Sequence, residues 1–342
     1  MMVMVATKQD IEREAQRLEG KGLALAGYTE EILLRLAQKT WRINLLKEEK
    51  NAVIPAHVYQ RAEIIHGIAD FTGDSYRLSK LCAEAKAGTI VFCGVRFMAE
   101  TSKILSPDKA VILPALEAGC SLAESITGED ARRLRSKYPG LPAICYINTT
   151  ADVKAECDVV VTSANARKIL ERLYEKHPRL IFLPDELMGL NLARDLGKRV
   201  GEEMIIWKGK CVVHEDFETS WVERYRKEYP GVKILAHTEC SPGLVELVDF
   251  AGGTGDMMRY VASTSAPAYM LVTECGLGDL ARTQFPDKRF VPMCRLCPYM
   301  KAIDLDRVEK ALTNPRPDQF IEVPAAIGER AKKALEAMFA LA

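Results

Sequence analysis

The chain has 342 residues, of which 47 are basic and 47 acidic, so its formal net charge at pH 7 is zero. A surface without excess positive charge argues against a protein that binds nucleic acid independently of sequence. Hydrophobic residues make up 48% of the chain and charged residues 27%, which is typical of a globular rather than a disordered protein.

The amino-terminal segment does not resemble a secretory signal, because no charged region precedes a sustained apolar stretch. No apolar run approaches the roughly 20 residues that a membrane span requires. We therefore expect a cytoplasmic protein with no membrane or nucleic-acid partner. In that compartment the ten cysteines are expected to be thiols, metal ligands or redox groups rather than a disulfide framework.

Residues 1–43 are predicted to be a helical extension, with helix signals over 10–18 and 29–46. A first structural unit is predicted over 44–124. It contains an apolar strand over 53–57, a second strand signal that begins at Asp70, a third strand over 89–93 and a short fourth strand that leads to Cys120.

The same order of landmarks returns over 125–213 and again over 214–300. The first strands reach His57, Ile147 and His237 at intervals of 90 residues, and the final cysteines are 91 and 86 residues apart. The agreement predicts a threefold repeat of four-stranded units. The alternative is three ordinary βα units of similar length.

Continuous apolar strands that alternate with helices predict an α/β fold, with parallel sheets covered on both faces. We expect three similar αβα sandwich domains with short parallel sheets about a pseudo-threefold axis. Residues 301–342 are expected to form a C-terminal helical extension. Because ligands of open parallel sheets bind beyond the carboxyl ends of the strands, the active site is expected at the centre.

One cysteine near the end of each repeat supplies a candidate ligand set, namely Cys120, Cys211 and Cys297. Three thiolates suit a 4Fe–4S cluster with one open iron, or a zinc ion with an open position. The alternative is that they are small core residues. Cys294 and Cys297 form a Cys-x-x-Cys pair, which is a second candidate for redox or metal chemistry, although its spacing within the repeat favours Cys297.

Two strand ends carry candidate acid–base groups. In His57-Val58-Tyr59 and His237-Thr238-Glu239 the alternating side chains share one face of an extended end, which places an imidazole beside a phenol or a carboxylate. A histidine that caps backbone is the alternative for either one alone. His214, three residues after Cys211, is expected near any metal that Cys211 binds.

Hydroxyl side chains mark the predicted helix starts after each second strand, at Ser75, Ser163 and Thr254. A hydroxyl together with free amide groups at a helix start forms an anion site, and simple capping is the alternative.

The chain resembles the quinolinate synthase family, the iron–sulfur enzymes of de novo NAD biosynthesis, over about residues 48–303. The motifs that carry the resemblance include Ala56-His57-Val58-Tyr59-Gln60, Ala118-Gly119-Cys120, the segment 207–214, Ala236-His237-Thr238-Glu239-Cys240 and Cys297-Pro298-Tyr299-Met300-Lys301. Further matching segments are 69–75, 93–101, 146–149 and 162–165.

The resemblance implies a transferase that condenses iminoaspartate with dihydroxyacetone phosphate to give quinolinate, phosphate and two waters. It implies Cys120, Cys211 and Cys297 as ligands of a 4Fe–4S cluster whose fourth iron is open to substrate. It also implies a functional link to L-aspartate oxidase as the source of iminoaspartate. Tyr59, His237 and Glu239 are implied as acid–base groups. The implied binders of substrate oxygens are His57, Ser75, Tyr146, Asn148, Ser163, His214 and Thr254.

Three positions depart from the usual family pattern: Val58 stands in place of Asn, Thr238 in place of Pro, and Ser121-Leu122 in place of Pro-Met. None of them removes a predicted ligand or acid–base group. The rival interpretations are another dehydratase with an open cluster, and a zinc or metal-free α/β binding protein.

Overall fold

The fold was examined in a computed structural model that describes residues 6–342; the first five residues of the predicted extension lie outside it. Two helices open this part of the chain, α1 (Lys8–Gly20) and α2 (Glu30–Glu49). Their starts are capped by the hydroxyls of Thr7 and Thr29, which accept hydrogen bonds from backbone amides of the first turn. The predicted amino-terminal helices are therefore confirmed.

The first repeat contains two small parallel sheets that a single bridge between Ala56 and Cys93 connects. The strand order is β1-β4-β5 in one sheet and β2-β3 in the other. The elements are β1 (Ala52–Val53), β2 (Pro55–His57), α3 (Ala62–Gly67), β3 (Phe71–Gly73), α4 (Ser75–Glu84), β4 (Thr89–Val91), α5 (Arg96–Leu105), β5 (Ala110–Ile112) and α6 (Ser121–Glu124).

The second repeat has one four-stranded parallel sheet in the order β7-β6-β8-β9. Its strands are short and fully apolar because helices cover both faces. The elements are α7 (Gly128–Lys137), β6 (Ala143–Tyr146), α8 (Ala151–Lys154), β7 (Val159–Val161), α9 (Ala166–Tyr174), β8 (Leu180–Leu183), α10 (Glu186–Asp195) and β9 (Met204–Ile206).

The third repeat has three strands in the order β11-β10-β12, so the predicted fourth strand is wrong here. Two isolated parallel bridges, Tyr269 with Phe290 and Glu274 with Arg295, take the place of a continuous strand. Pro292, which has no amide hydrogen to donate to a ladder, follows two residues after Phe290. The elements are α11 (Thr219–Glu228), β10 (Lys233–His237), α12 (Pro242–Val245), β11 (Phe250–Gly252), α13 (Thr254–Ser263), β12 (Tyr269–Val272) and α14 (Cys275–Gln284).

Two helices close the chain, α15 (Leu305–Thr313) and α16 (Ala325–Leu341). The segment between them returns to the first repeat, where the amide of Ile321 donates to the carbonyl of Val111 at 2.8 Å. None of the helices described is long and apolar enough to cross a membrane. The molecule is thus α/β with several short parallel sheets, as predicted, whereas the boundaries at 44–124, 125–213 and 214–300 stay a proposal.

One set of contacts recurs in all three repeats and ties the first strand to the second. An aspartate at the start of the second strand accepts a hydrogen bond from a backbone amide of the first strand, at 2.7 to 3.0 Å. A basic side chain 23 residues earlier pairs with the aspartate and also donates to the backbone carbonyl two residues before it. These acid–base clamps are Lys47 with Asp70, Arg135 with Asp158 and Arg226 with Asp249. The same contacts at the same sequence separation in all three repeats support the predicted repeat.

Candidate active site

A single cavity collects residues from all three repeats at the carboxyl ends of their strands. Its lining includes each of the thirteen residues singled out from the sequence: His57, Tyr59, Ser75, Cys120, Tyr146, Asn148, Ser163, Cys211, His214, His237, Glu239, Thr254 and Cys297. The chain therefore brings together groups that are up to 240 residues apart, and the role of each one stays a prediction.

The three cysteines of the predicted ligand set are held in the same way. In each repeat, the backbone amide that opens the helix after the third strand donates to the carbonyl two residues before the cysteine. The donors are Arg96, Glu186 and Cys275, and the acceptors are Ala118, Gly209 and Arg295. Each cysteine carbonyl in turn accepts from the amide four residues later, at 2.9 to 3.0 Å. Cys120, Cys211 and Cys297 thus occupy equivalent positions.

Backbone amides also face each of the three sulfurs. Burial raises the pKa of the Cys120 thiol to about 12, while the amides of Ala123 and Leu122 act in the opposite direction. Burial likewise raises the pKa of Cys211 and Cys297, and in both cases the amides two and three residues further on lower it. A buried thiol ringed by amide donors is suited to become a thiolate when a metal binds.

The spacing of the cysteines distinguishes between kinds of metal centre. Among the residues described, only Cys211, His214 and Glu239 bring ligand atoms within 4.8 Å of one another. The three cysteine sulfurs do not form such a group, whereas one tetrahedral zinc ion holds its sulfur ligands about 3.8 Å apart. At least one pair of these sulfurs is therefore more than 4.8 Å apart, so that a single ion could bind all three only after a side chain moved.

The structure corrects the interpretation of Cys294. Its sulfur forms a disulfide with Cys275, and not with Cys297. Cys275 is accordingly not a free thiol. The ten cysteines were expected to be thiols, metal ligands or redox groups and not a disulfide framework, and this pair forms one isolated disulfide. The other eight, including Cys297, are free thiols.

A buried hydrogen-bond network surrounds Glu239. One carboxylate oxygen accepts from the Tyr146 hydroxyl at 2.6 Å, and the other lies 2.9 Å from Nδ1 of His214. The rings of His214 and His237 stack with their centroids 4.6 Å apart. This arrangement holds Glu239 rigidly at the end of β10, where it faces the cavity.

The environments of these groups move their pKa values in opposite directions. Burial opposes the charge of Glu239, but His214, His237 and the hydrogen bonds outweigh it and lower the pKa. Burial and the nearby Glu239 raise the pKa of both Tyr59 and Tyr146. Burial lowers the pKa of His57 to about 3 and that of His237 to about 4. The site at neutral pH thus combines a carboxylate base, two phenol donors and neutral imidazoles.

Thr273 is a central residue that the sequence analysis did not identify as functional. Its fully buried hydroxyl lies 2.6 Å from the Tyr59 hydroxyl and 3.0 Å from Nε2 of His214. It therefore links Tyr59 to the His214–Glu239 pair in one hydrogen-bonded chain. Its position at the end of a third strand was the available signal, but nothing in the sequence shows the two partners.

Glu274 and Lys301 are two further residues that sequence reasoning missed. The buried carboxylate of Glu274 accepts from the amide of Cys297 at 3.2 Å and pairs with Lys301 at 3.1 Å. The Lys301 ammonium also donates to the backbone carbonyl of Tyr59. This pair fixes the third cysteine relative to the Tyr59 segment.

The hydroxyl-bearing helix starts lie at the same cavity. Ser75 and Thr254 are the first residues of α4 and α13, and Ser163 precedes α9. A Cβ on Gly253 would approach the Ser163 hydroxyl to 2.5 Å, so only glycine allows the second and third repeats to meet this closely. Free amides and hydroxyls of two 10-residue helices thus face one space, which suits an anion.

A family model and the similar proteins compared with this chain all point to one enzyme family. The family model described as Quinolinate synthetase A protein (NadA) matches residues 41–340. The chain is 45% identical over 296 residues to Quinolinate synthase 2 of Mesorhizobium japonicum, covering 86% of this chain and 89% of the relative. Identity to Quinolinate synthase of Xylella fastidiosa is also 45% over 296 residues, covering 86% and 85%. The chain is also 45% identical over 293 residues to Quinolinate synthase of Agrobacterium fabrum, which covers 86% of this chain and 83% of the relative.

Proposed function

The chain belongs to the quinolinate synthase family of enzymes, and from this premise we propose that it condenses iminoaspartate with dihydroxyacetone phosphate. The products are quinolinate, one phosphate and two waters, which makes the enzyme a transferase of de novo NAD biosynthesis. The observation that carries the proposal is the single cavity in which three equivalently held cysteines face the buried Glu239 network.

We propose Cys120, Cys211 and Cys297 as the ligands of a 4Fe–4S cluster. The donor set fits this group, because three thiols with two nearby backbone amides each line one cavity and do not all lie within 4.8 Å of one another. When bound with one iron open, such a cluster supplies a Lewis acid for substrate oxygens.

The phosphate of dihydroxyacetone phosphate is proposed to bind at the helix starts. Ser75, Ser163 and Thr254 offer hydroxyl donors there, and the amides of α4 and α13 add their partial positive charge. Asn148, whose side chain lines the same cavity, is proposed to donate to a substrate carboxylate.

Proton transfers are proposed to involve Glu239, Tyr59 and His237. Glu239 is the anionic base that removes a proton from bound substrate, and the lowered pKa of its carboxyl keeps it charged. Tyr59 retains its proton because burial raises its pKa, so it can donate to a leaving hydroxyl. His237 is neutral and stacks beside His214, where it can pass a proton between Glu239 and substrate. His57, Tyr146 and His214 orient these groups and substrate oxygens.

The assay that tests the proposal is quinolinate formation from iminoaspartate and dihydroxyacetone phosphate by anaerobically reconstituted protein. We expect a brown protein with broad visible absorption that releases quinolinate and phosphate in equal amounts. Colourless protein after reconstitution, or loss of both substrates without quinolinate, would contradict it.

The Glu239→Gln variant distinguishes loss of the base from loss of the metal centre. We expect it to keep the visible absorption of the wild type and to lose roughly 10²- to 10⁴-fold in turnover. Full activity of this variant would remove the base role of Glu239.

We further propose that the enzyme acts in the cytoplasm and is functionally linked to L-aspartate oxidase. Iminoaspartate is an imine that water hydrolyses, so an oxidase that forms it must act close in time to its use. A rate of quinolinate formation that rises when L-aspartate oxidase and aspartate replace preformed iminoaspartate would support the link. An unchanged rate would count against it.

A further inference from the structure

His214 presents one ring nitrogen to two acceptors. Its Nδ1 lies 2.9 Å from a carboxylate oxygen of Glu239 and 3.2 Å from the sulfur of Cys211. A single hydrogen on Nδ1 serves two groups that both attract positive charge. A cation with several ligands satisfies such a site more completely than one proton does.

The three ligand atoms already have nearly the spacing of a mononuclear site. All lie within 4.8 Å of one another, and the side chains of His214 and Glu239 are almost fully buried. A tetrahedral zinc ion holds nitrogen, oxygen and sulfur ligands about 3.3 to 3.6 Å apart, with bonds of about 2.0 to 2.3 Å. The observed distances at Nδ1 are a few tenths of an ångström below that range, so small side-chain movements suffice.

The surrounding groups also suit an ion at this position. Nε2 of His214 lies 3.0 Å from the Thr273 hydroxyl, which can accept the hydrogen that a metal-bound imidazole carries on its other nitrogen. The second oxygen of Glu239 is held by Tyr146 at 2.6 Å. One thiolate and one carboxylate balance the two positive charges of zinc, so that a buried site of zero net charge results.

We propose that the full-length chain, when it lacks its cluster, binds one zinc ion through Cys211 Sγ, His214 Nδ1 and Glu239. The thiol proton of Cys211 passes to solvent. The Nδ1–H bond of His214 breaks and Nε2 gains a hydrogen through exchange with solvent, so that the imidazole stays neutral and Nδ1 is free to bind the ion. A water or substrate oxygen completes the fourth position. The proposed binding of zinc does not depend on the proposed reaction. Its consequence, that zinc blocks cluster assembly by occupying Cys211, rests on the proposed cluster ligands.

The test is a titration of metal-free, reduced full-length protein with Zn²⁺ by calorimetry. We expect one ion per chain with a Kd below about 1 µM. Cys211→Ser and Glu239→Gln should weaken binding at least about 10-fold. Cys120→Ser and Cys297→Ser, which remove equivalent cysteines outside this set, should bind like the wild type. Circular dichroism establishes that each variant is folded.

Cobalt(II) gives a second measurement that needs no variant. The thiolate-to-cobalt absorption scales with the number of sulfur ligands, so the wild type should show the intensity of a single thiolate. A three-thiolate spectrum would overturn the proposal, as would zinc affinity that depends on Cys120 or Cys297 but not on Glu239. Absence of zinc binding would overturn it too, and would leave the quinolinate assay of the reconstituted enzyme unaffected.

The blocking step has its own readout. Wild type preloaded with zinc should incorporate less iron and sulfide during anaerobic reconstitution than metal-free protein, and Glu239→Gln preloaded in the same way should incorporate normal amounts. Equal iron content in loaded and metal-free wild type would remove the blocking step.

Discussion

At the scale of single residues, Cys297 and not Cys294 has the environment of Cys120 and Cys211. Two features are shared: the amides facing each sulfur, and the hydrogen bond from the start of the helix after the third strand to the carbonyl two residues before the cysteine. Since each predicted ligand supplies one of three protein bonds to the cluster, Cys120→Ala, Cys211→Ala and Cys297→Ala should each abolish the visible absorption and bound iron of reconstituted protein.

Cys294→Ala is the matched control for that series. It removes a sulfur only three residues from Cys297, but one that pairs with Cys275 instead of facing the cavity. Iron content should therefore remain that of the wild type. An intact cluster in Cys297→Ala, or a lost cluster in Cys294→Ala, would refute the ligand assignment.

Thr273 gives a second prediction at this scale. Thr273→Val keeps the shape of the side chain but leaves the Tyr59 hydroxyl and His214 Nε2 without their shared partner. Because both groups then lose their orientation, kcat should fall about 10- to 100-fold while KM changes little. Steady-state kinetics on reconstituted enzyme would measure this.

Thr273→Ser retains the hydroxyl and should recover most of the lost turnover. Both variants should show the absorption of the intact cluster, since Thr273 contacts no proposed ligand sulfur. A valine variant as active as the wild type would exclude a positioning role for this hydroxyl.

The sequence allowed some of these residues to be predicted and not others. His57, His237 and the three cysteines stand at matching places of a repeat, so their convergence follows from the topology of parallel strands. Thr273, Glu274 and Lys301 matter because of partners that are more than 20 residues away and that no spacing rule connects. The Cys275–Cys294 disulfide was also missed, because no spacing rule connects these two cysteines, which are 19 residues apart.

At the scale of secondary-structure elements, the acid–base clamp explains how each repeat fixes its first strand relative to its second. Asp249 accepts from the amide of Ile234 at 3.0 Å and pairs with Arg226 and Lys233. Asp249→Asn keeps the size but removes the charge, and hydrogen bonds to charged groups contribute about 1.5 to 3 kcal/mol. The variant should lose about that much free energy of unfolding at pH 7, as measured by urea denaturation.

The effect should depend on pH with a definite sign. Burial favours the neutral form of Asp249, but the hydrogen bond from Ile234 and the two cations outweigh it and lower its pKa. A carboxyl whose folded pKa is lowered stabilises the protein above its unfolded value of about 3.9, and this contribution is lost as the pH falls below it. The difference between wild type and variant should therefore shrink below about pH 4. Asp318→Asn, at an exposed position, serves as the control and should change stability little at either pH.

The elements themselves were largely predictable. Helices after the second strands begin within three residues of the expected positions, and Asp74 caps the first of them. The fourth strand of the third repeat was not predictable from the pattern of the other two. The repeat suggested a strand, but Pro292 interrupts the pairing, which leaves isolated bridges at Phe290 and Arg295 and no continuous ladder.

At the scale of the whole molecule, the terminal helices α2 and α16 are part of the main core and not appendages. One continuous apolar cluster includes Ile43 and Leu46 from α2, strand residues of the first two repeats, and Leu335 and Met338 from α16. Helix α16 packs against β7, α8 and α5, which belong to both of these repeats. The C-terminal helix thereby joins the first two repeats.

This arrangement predicts that damage to α16 destabilises the molecule without altering its chemistry. Leu335 is fully buried in the apolar cluster, on a helix that packs against elements of both the first and the second repeat. Leu335→Ala should lower the free energy of unfolding by about 2 to 5 kcal/mol. KM should stay unchanged because no residue of α16 lines the cavity.

Leu34→Ala on α2, where the side chain is 40% exposed, is the matched control and should lower the free energy of unfolding far less. A change in KM for Leu335→Ala without a loss of stability would show that α16 acts on the site and not on the fold.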